Sequence, residues 1–239
     1  MRAIILAAGR GERLRPLTDH TPKPLLAVQG KPLIVWHIEA LARAGVRDIV
    51  VNCAWLEEQF PTALGDGSAY GVRLHYSFEG RDCGGALETA GGIARALPLL
   101  CADGDEHFWV VSGDVFVPGF KFDMEAARRF ALGPLLAQLW MVDNPPHHPG
   151  GDFGIAADGL ALLEAPQRYT WSCIGLYKRE FFADVPAGQA ARLRPYLEAA
   201  IAQRRLGALH YAGAWADVGT PERLAALNAA PAASLTPRG

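Results

Sequence analysis

Strand-like apolar runs that alternate with amphipathic helical stretches constrain this chain more than any other feature. Residues 2–7 read as an apolar run through Ala3, Ile4, Ile5, Leu6 and Ala7, the pattern of a strand buried on both faces of a parallel sheet. A Gly- and Pro-punctuated loop follows, from about 8 to 30. A helix then starts near Pro32, a residue suited to a first helical turn. It carries Leu33, Ile34, Ile38, Leu41 and Ala42 on one face and ends at Gly45. Residues 48–52 are the next strand, which completes a βαβ unit. The alternation goes on with helix over 55–64, strand over 72–77, helix over 87–97, strand over 107–112, helix over 123–130 and strand over 135–142. This is the signature of an α/β, doubly wound, Rossmann-like and mostly parallel sheet.

Beyond Asp143 the texture changes. Short runs at 153–156, 160–164 and 169–177, separated by Pro and Gly, are expected to form a small antiparallel sheet over the edge of the site. A helix over 192–203, a strand over 208–211, the segment 215–220 and a helix from Pro221 complete the order. The Ala/Pro/Ser-rich stretch 230–239 reads as a flexible tail.

Composition narrows the functional classes. Half of the 239 residues are hydrophobic and 20% are charged, which supplies an ordinary globular core. A formal net charge of −2 with scattered basic residues argues against a nucleic-acid partner. Cys53, Cys83, Cys101 and Cys173 have no zinc spacing and fit free thiols in a reducing compartment. The N-terminal apolar run is too short for a signal peptide, and no stretch is long enough to span a bilayer. A cytoplasmic protein with no membrane partner is expected.

The chemistry concentrates in residues 6–24. A buried strand opens into a loop with Gly9 and Gly11, followed by Glu12, Arg13, Leu14, Arg15, Pro16, Leu17 and Thr18, then Pro22, Lys23 and Pro24. Glycines let a backbone approach a ligand and present N–H groups to anionic oxygens. Arg10, Arg13, Arg15 and Lys23 can add charge-assisted bonds to phosphates. A dinucleotide fingerprint fails because position 14 is Leu, and Pro16 blocks an immediate helix. A P-loop fails because no Gly-Lys-Ser/Thr ending is present. A purely structural loop remains the competing reading, and it leaves so much Arg and Gly beside a buried strand unexplained.

At these residues the chain resembles the sugar-1-phosphate nucleotidyltransferases. Their pattern G-x-G-x-R-L-x-P-L-T, a short gap and P-K-P-L is matched from Gly9 to Leu25. The likeness continues at Asn52 to Leu56, Leu87 to Ile93, Gly113 to Val115, Val142 to Pro145 and Trp215 to Leu224. Within the family it is most similar to the branch that uses UTP and N-acetylmuramate α-1-phosphate in bacterial cell-wall recycling. The resemblance implies a GT-A-like fold in one domain over 1–229, with a nucleotide half to about 115 and a sugar half beyond. It implies transfer of a nucleotidyl group from a triphosphate to a sugar 1-phosphate with Mg²⁺, and release of pyrophosphate. Substrates are small molecules, and the chain is expected to be a monomer or weak homo-oligomer.

The same resemblance implies the roles. Ala8, Gly9, Gly11, Glu12 and Arg13 wrap the triphosphate, with Ser112 nearby. Arg13 and Lys23 are the catalytic cations. Asp114 and Asp217 hold the metal. Glu79 and Gly91 read the base, and Asp143 and Asn144 contact the sugar. Three departures stand out: residues 81–86 look like an insertion, Ala90 replaces a glycine, and Ser112 replaces an asparagine. His147 and His148 read equally well as a solvated loop pair. Trp36, Trp109 and Trp140 read as core, while Glu164 and Trp171 fall in the region of a sugar pocket. Thymidylyl transfer to glucose 1-phosphate, guanylyl transfer to mannose 1-phosphate, and an inactive nucleotide-sugar-binding regulatory subunit remain open.

Overall fold

A computed structural model describes residues 1–230; of the expected tail at 230–239, residues 231–239 lie outside the described residues. The chain opens with β1 (Ala3–Leu6), a short helix α1 (Leu17–His20), a hairpin of β2 (Ala27–Val28) and β3 (Lys31–Pro32), then α2 (Leu33–Arg43) and β4 (Asp48–Cys53). It continues through α3 (Gln59–Leu64), β5 (Arg73–Phe78), α4 (Glu79–Cys83), α5 (Glu88–Leu100), β6 (His107–Ser112), β7 (Val115–Phe116), α6 (Met124–Leu132) and β8 (Ala137–Val142). The last part holds β9 (Gly154–Ile155), β10 (Ala161–Leu162), β11 (Thr170–Lys178), α7 (Arg194–Ala202), β12 (Leu206–His210), β13 (Ala216–Asp217) and α8 (Pro221–Ala229).

The central sheet has seven strands in the order β12-β8-β11-β6-β1-β4-β5. Strands β6, β1, β4 and β5 run parallel, β12 is parallel to β8, and β11 is antiparallel to both its neighbours. The chain builds from β1 outward through β4 and β5, then returns to the other side of β1 for β6. That reversal opens a crevice at the carboxyl ends of β1 and β6, the usual ligand position in an open α/β sheet. Strands β1 and β4 are buried on both faces because helices cover both sides. One core cluster packs Ile34, Ile38 and Leu41 of α2 against the sheet, and the other packs Ile93, Ala96 and Leu100 of α5 against the opposite face.

Local chemistry sets several boundaries. Helix α2 ends where Gly45 takes a φ of 93°. The Gly45 and Val46 N–H groups then donate back to Ala42 and Leu41 at 3.0 Å each, a Schellman closure. The helix expected over 55–64 is shortened to α3, and Leu56 stands at a φ of 48° in the turn before it. Residues 79–83 form α4, which replaces part of the expected loop; the Glu57 carboxylate accepts the Gly80 and Arg81 N–H groups at its start, at 2.9 and 2.8 Å.

The segment 169–177 does not join a separate small sheet. As β11 it inserts into the main sheet between β8 and β6, because its apolar side chains Ile174, Leu176 and Tyr177 are fully enclosed there. The small antiparallel pairs are β9 with β10, β7 with β13 and β2 with β3. A third cluster joins Leu14, Val28, Leu33, Phe116, Val218 and Leu224, so it ties the Gly-rich loop to β7, β13 and α8. Trp36 meets Phe116 edge-on at 5.1 Å, and Trp109 packs against Phe122 and Trp140 in the main core. All four cysteines are free. Among the described residues no helix is long and apolar enough to cross a membrane.

Candidate active site

A cavity of about 540 Å³ lies in the crevice beyond β1 and β6. Residues 6–14, Lys23, Pro24, Asn52, Ala86, Glu88, Thr89, Ser112, Asp114 and Gly219 line it. Of the residues expected to meet a nucleotide, Ala8, Gly9, Gly11, Glu12, Arg13, Lys23 and Ser112 are therefore brought together, with Asp114 among them.

The loop's shape follows from one glycine. Gly11 has a φ of 68°, and a Cβ there would stand 3.0 Å from Thr18 Cγ2 and 3.2 Å from Lys23 Cβ. The buried Thr18 hydroxyl donates to the Gly11 carbonyl at 2.9 Å and keeps that approach close.

The three arginines of the loop separate into different tasks. The Arg10 guanidinium donates to Thr18 O at 2.7 Å and to Asp19 Oδ1 at 2.6 Å, and lies 3.7 Å from the Trp55 ring centroid. Arg15 donates to the same Asp19 oxygen at 2.8 Å. These two cations hold the Asp19 carboxyl below the ordinary carboxylate range, the Arg10 hydrogen bond most of all. Arg13 is exposed and has no ion-pair partner among the described residues. It is the arginine of the loop left available to an incoming anion.

At the floor, the nearly buried Lys23 Nζ donates to Asp114 Oδ2 at 2.7 Å, and Ser112 Oγ donates to Asp114 Oδ1 at 2.6 Å. Burial alone would raise the Asp114 carboxyl; the Lys23 charge, its hydrogen bond and the Ser112 hydroxyl outweigh it and hold the group below the ordinary range. Behind this wall the buried His37 Nε2 meets Val115 O at 2.8 Å. Burial lowers its pKa to about 4, so the ring is neutral at pH 7 and its Nε2–H donates to the carbonyl.

Asp217 arrives from the far end of the chain. Strand β13 pairs antiparallel with β7, setting Asp217 opposite Val115, and Val218 N–H donates to Asp114 O at 2.9 Å. The ladder thus makes the two carboxylate-bearing residues spatial neighbours. Asp217 also receives Arg223 on Oδ2 and His147 Nε2 on Oδ1 at 3.0 Å. No cluster of three or more metal-type side chains exists among the described residues. Asp114, in the turn just before β7, and Asp217, on the paired strand β13, are oxygen donors of the kind a hard divalent ion takes beside phosphate oxygens and water.

Four residues expected at the site lie outside the lining of this cavity. Glu79 is fully buried behind the cavity wall; its carboxylate accepts Asn52 Nδ2–H at 2.7 Å and Leu87 N–H at 2.7 Å. Gly91 faces the 189–191 segment, where a Cβ would overlap the Gln189 carbonyl oxygen. Asn144 spends its amide on structure: Nδ2 donates to Pro149 O and Arg168 O at 3.0 Å each, and Oδ1 accepts Thr170 Oγ1–H at 2.9 Å. Asp143 is exposed just past β8 and pairs with His210 Nε2 at 2.9 Å. None of the four lines the cavity.

Asn52, Ala86, Glu88 and Thr89 line it instead, and His147 and Arg223 meet Asp217. Glu88 carries a visible mark, a φ of 58° in a non-glycine residue beside the cavity. In sequence, the 86–89 wall is marked by the family likeness from Leu87 to Ile93 and by its position between a Gly-rich stretch and a helix.

A family model described as nucleotidyl transferase matches residues 2–234, and the chain belongs to that family. It is 50% identical over 229 residues to an N-acetylmuramate alpha-1-phosphate uridylyltransferase of Neisseria meningitidis serogroup B, covering 94% of this chain and 95% of that protein. It is also 32% identical over 186 residues to a glucose-1-phosphate thymidylyltransferase of Streptomyces antibioticus, covering 76% of this chain and 49% of that protein. The fold is shared with HddC from Yersinia pseudotuberculosis complexed with GMP-PN, at a TM-score of 0.73 and 19% identity over 95% of this chain and 97% of that one.

Proposed function

We propose that the chain transfers a uridylyl group from UTP to N-acetylmuramate α-1-phosphate, giving UDP-N-acetylmuramate and pyrophosphate for peptidoglycan recycling. The observation that carries the chemistry is one cavity in which a Gly-rich loop and the unpartnered Arg13 face the Lys23–Asp114–Ser112 cluster. The choice of base and sugar is supported by 50% identity along 94% of the chain to a protein with that activity.

In this reading the triphosphate lies along residues 8–13, with its charge met by backbone N–H groups, Arg13 and Lys23. An oxygen of the sugar phosphate attacks the α-phosphorus, a new P–O bond forms, and the bond to the β-phosphate oxygen breaks with its electron pair on pyrophosphate. The nucleophile is already an anion, so no side chain has to remove a proton. Positioning and charge neutralisation supply the acceleration. Asp114 and Asp217 would hold Mg²⁺, which supplies charge neutralisation at the reacting phosphates when bound. The base rests against the 86–89 wall. The sugar approaches from the β8–β11 side, with Asp143 exposed there and Asn144 acting through the loop it braces. We read residues 1–229 as one domain, with nucleotide and sugar halves meeting near 115, working in the cytoplasm as a monomer or weak homo-oligomer.

The test is pyrophosphate release with Mg²⁺, pairing UTP, dTTP, GTP, CTP and ATP with N-acetylmuramate, N-acetylglucosamine, glucose and mannose 1-phosphates. Release confined to UTP with N-acetylmuramate 1-phosphate is expected. Release with another pair moves the substrate within the family, and none from any pair refutes the reading.

A further inference from the structure

Asn52 and Glu79 join opposite walls of the cavity by a continuous hydrogen-bonded chain. Ala7 N–H, at the end of β1 where the Gly-rich loop begins, is shared between the Asn52 carbonyl at 3.1 Å and Asn52 Oδ1 at 2.9 Å. Asn52 Nδ2 donates to Glu79 Oε1 at 2.7 Å, and Glu79 Oε2 accepts Leu87 N–H at 2.7 Å. Asn52, Glu79 and Leu87 are all buried. The chain lies tight against α5: a Cβ on Gly92 would stand 2.5 Å from Glu79 Oε1 and 2.7 Å from Asn52 Nδ2.

At its far end the chain holds the turn that bears Glu88 and Thr89. The Ala90 and Gly91 N–H groups go to Ala191 O. The N–H groups of Glu88 and Thr89 meet no protein acceptor among the described residues, and both residues line the cavity. One Asn52 Nδ2–H is committed to Glu79, and the two free N–H groups of the turn stand at a place fixed by Leu87.

We propose that Asn52 and Glu79 are positioning residues for nucleobase selection: their chain sets the spacing between the phosphate-facing loop and the 86–89 turn, so that the turn's backbone meets the base and Glu79, buried outside the cavity lining, acts on it only through that chain. The proposal rests on the uridylyl-transfer reading above and adds the device that tunes it. Its logic is one of hydrogen-bond parity. Both ends of the chain are N–H donors, so both must meet oxygen, and the middle link needs one donor and one acceptor. Asn with Glu satisfies this, and so does Asp with Gln. Asp with Glu sets two acceptors face to face, and Asn with Gln sets two donors face to face whichever way the amides turn.

The experiment compares the wild type with N52D, E79Q and the swap N52D/E79Q, in mildly alkaline buffer. KM and kcat are measured for each substrate, the UTP-to-CTP preference is recorded, and the melting temperature is taken for each protein. Each single variant is expected to raise the UTP KM about tenfold or more, the effect of losing one buried hydrogen bond to a charged group. The loss should fall in KM rather than kcat, leave the sugar-phosphate KM within about twofold, and narrow the preference for UTP. The swap should bring the UTP KM back to within about threefold of the wild type. An unchanged KM in both singles, or a swap no better than the worse single, overturns the proposal. Should both singles fail to fold, the swap decides alone: near-wild-type UTP KM supports the chain and a tenfold rise overturns it. Should the wild type turn over no substrate pair, the uridylyl-transfer reading falls separately. UTP titration calorimetry on the four proteins then carries the same pattern in Kd, and equal Kd values or no UTP binding overturn the proposal.

Discussion

Replacing Gly91 by alanine separates two roles for that glycine, contact with a nucleotide and packing behind the cavity. An added Cβ would overlap the Gln189 carbonyl oxygen and lie 3.1 Å from Ala191 N and 3.2 Å from Leu87 Cβ. Two of these neighbours are backbone atoms, so no change of rotamer relieves the clash. The displaced segment is the one whose Ala191 accepts Ala90 N–H at 2.9 Å and Gly91 N–H at 3.2 Å and donates to Leu87 O at 2.9 Å. These bonds cap the otherwise orphaned first turn of α5. Overpacking this contact and weakening these bonds together cost about 2–4 kcal/mol. Alanine regains about 1 kcal/mol over glycine inside a helix. The balance is a net destabilisation of about 1–3 kcal/mol, because the gain offsets only part of the loss. For a chain of this size that is a fall in Tm of roughly 2–12 °C. Thermal unfolding followed by circular dichroism, with UTP kinetics on the same samples, makes the comparison. A Tm at or above the wild type together with weakened UTP use would mean that Gly91 faces the nucleotide and that the packing argument fails.

Three further outcomes follow from the same geometry. Lys23→Met should lower kcat about a hundredfold or more in pyrophosphate release while Tm falls only a few degrees. The Asp114 side chain it abandons is 38% exposed, which limits the cost of an unpaired charge to about 1 kcal/mol, and kcat within threefold of the wild type would refute the assignment. Arg13→Ala should weaken UTP use about tenfold or more and leave stability within about 0.5 kcal/mol, since the side chain is exposed; a large drop in Tm would contradict it. His37 should make stability pH-dependent. With a folded pKa of about 4 against an ordinary 6.5, its contribution is complete above about pH 6.5 and is lost as the pH falls toward 4. The difference amounts to about 3 kcal/mol, and His37→Gln, which keeps a donor for Val115 O, should flatten that slope in urea titrations.

The elements readable in advance are those whose burial is symmetric and local. The apolar runs of β1, β4 and β6, and the stripe of α2, announce themselves because neighbours along the chain share one environment. Strand β11 does not, since its place between β8 and β6 depends on antiparallel partners far away in sequence, and its register shifts between Trp171 and Ile174. The site divides in the same manner. Lys23 and Asp114 sit in a motif and at a strand end, where type and position carry meaning. Arg10 and Arg13 look alike in sequence, and only Asp19 and Trp55 make one a brace and leave the other available. Glu79, expected to read the base, is instead buried; its burial follows from Asn52 and Leu87, which no periodicity connects to it.

The short β7–β13 ladder has a kinetic consequence. Each strand contributes two residues, yet this pairing joins the middle of the chain to its last described helix. Contacts of such sequence separation form late in folding, and short peripheral ladders open at low free-energy cost. Strands β1 and β6 belong to the central sheet and stay closed through such an opening, while Leu14 of the Gly-rich loop loses its packing against Val218 and Leu224. A molecule with this ladder undone keeps the central sheet and loses Asp217 from beside Asp114. Amide exchange at Val218 would then count the molecules that have lost the proposed metal ligand, a population that far-ultraviolet circular dichroism counts as native throughout.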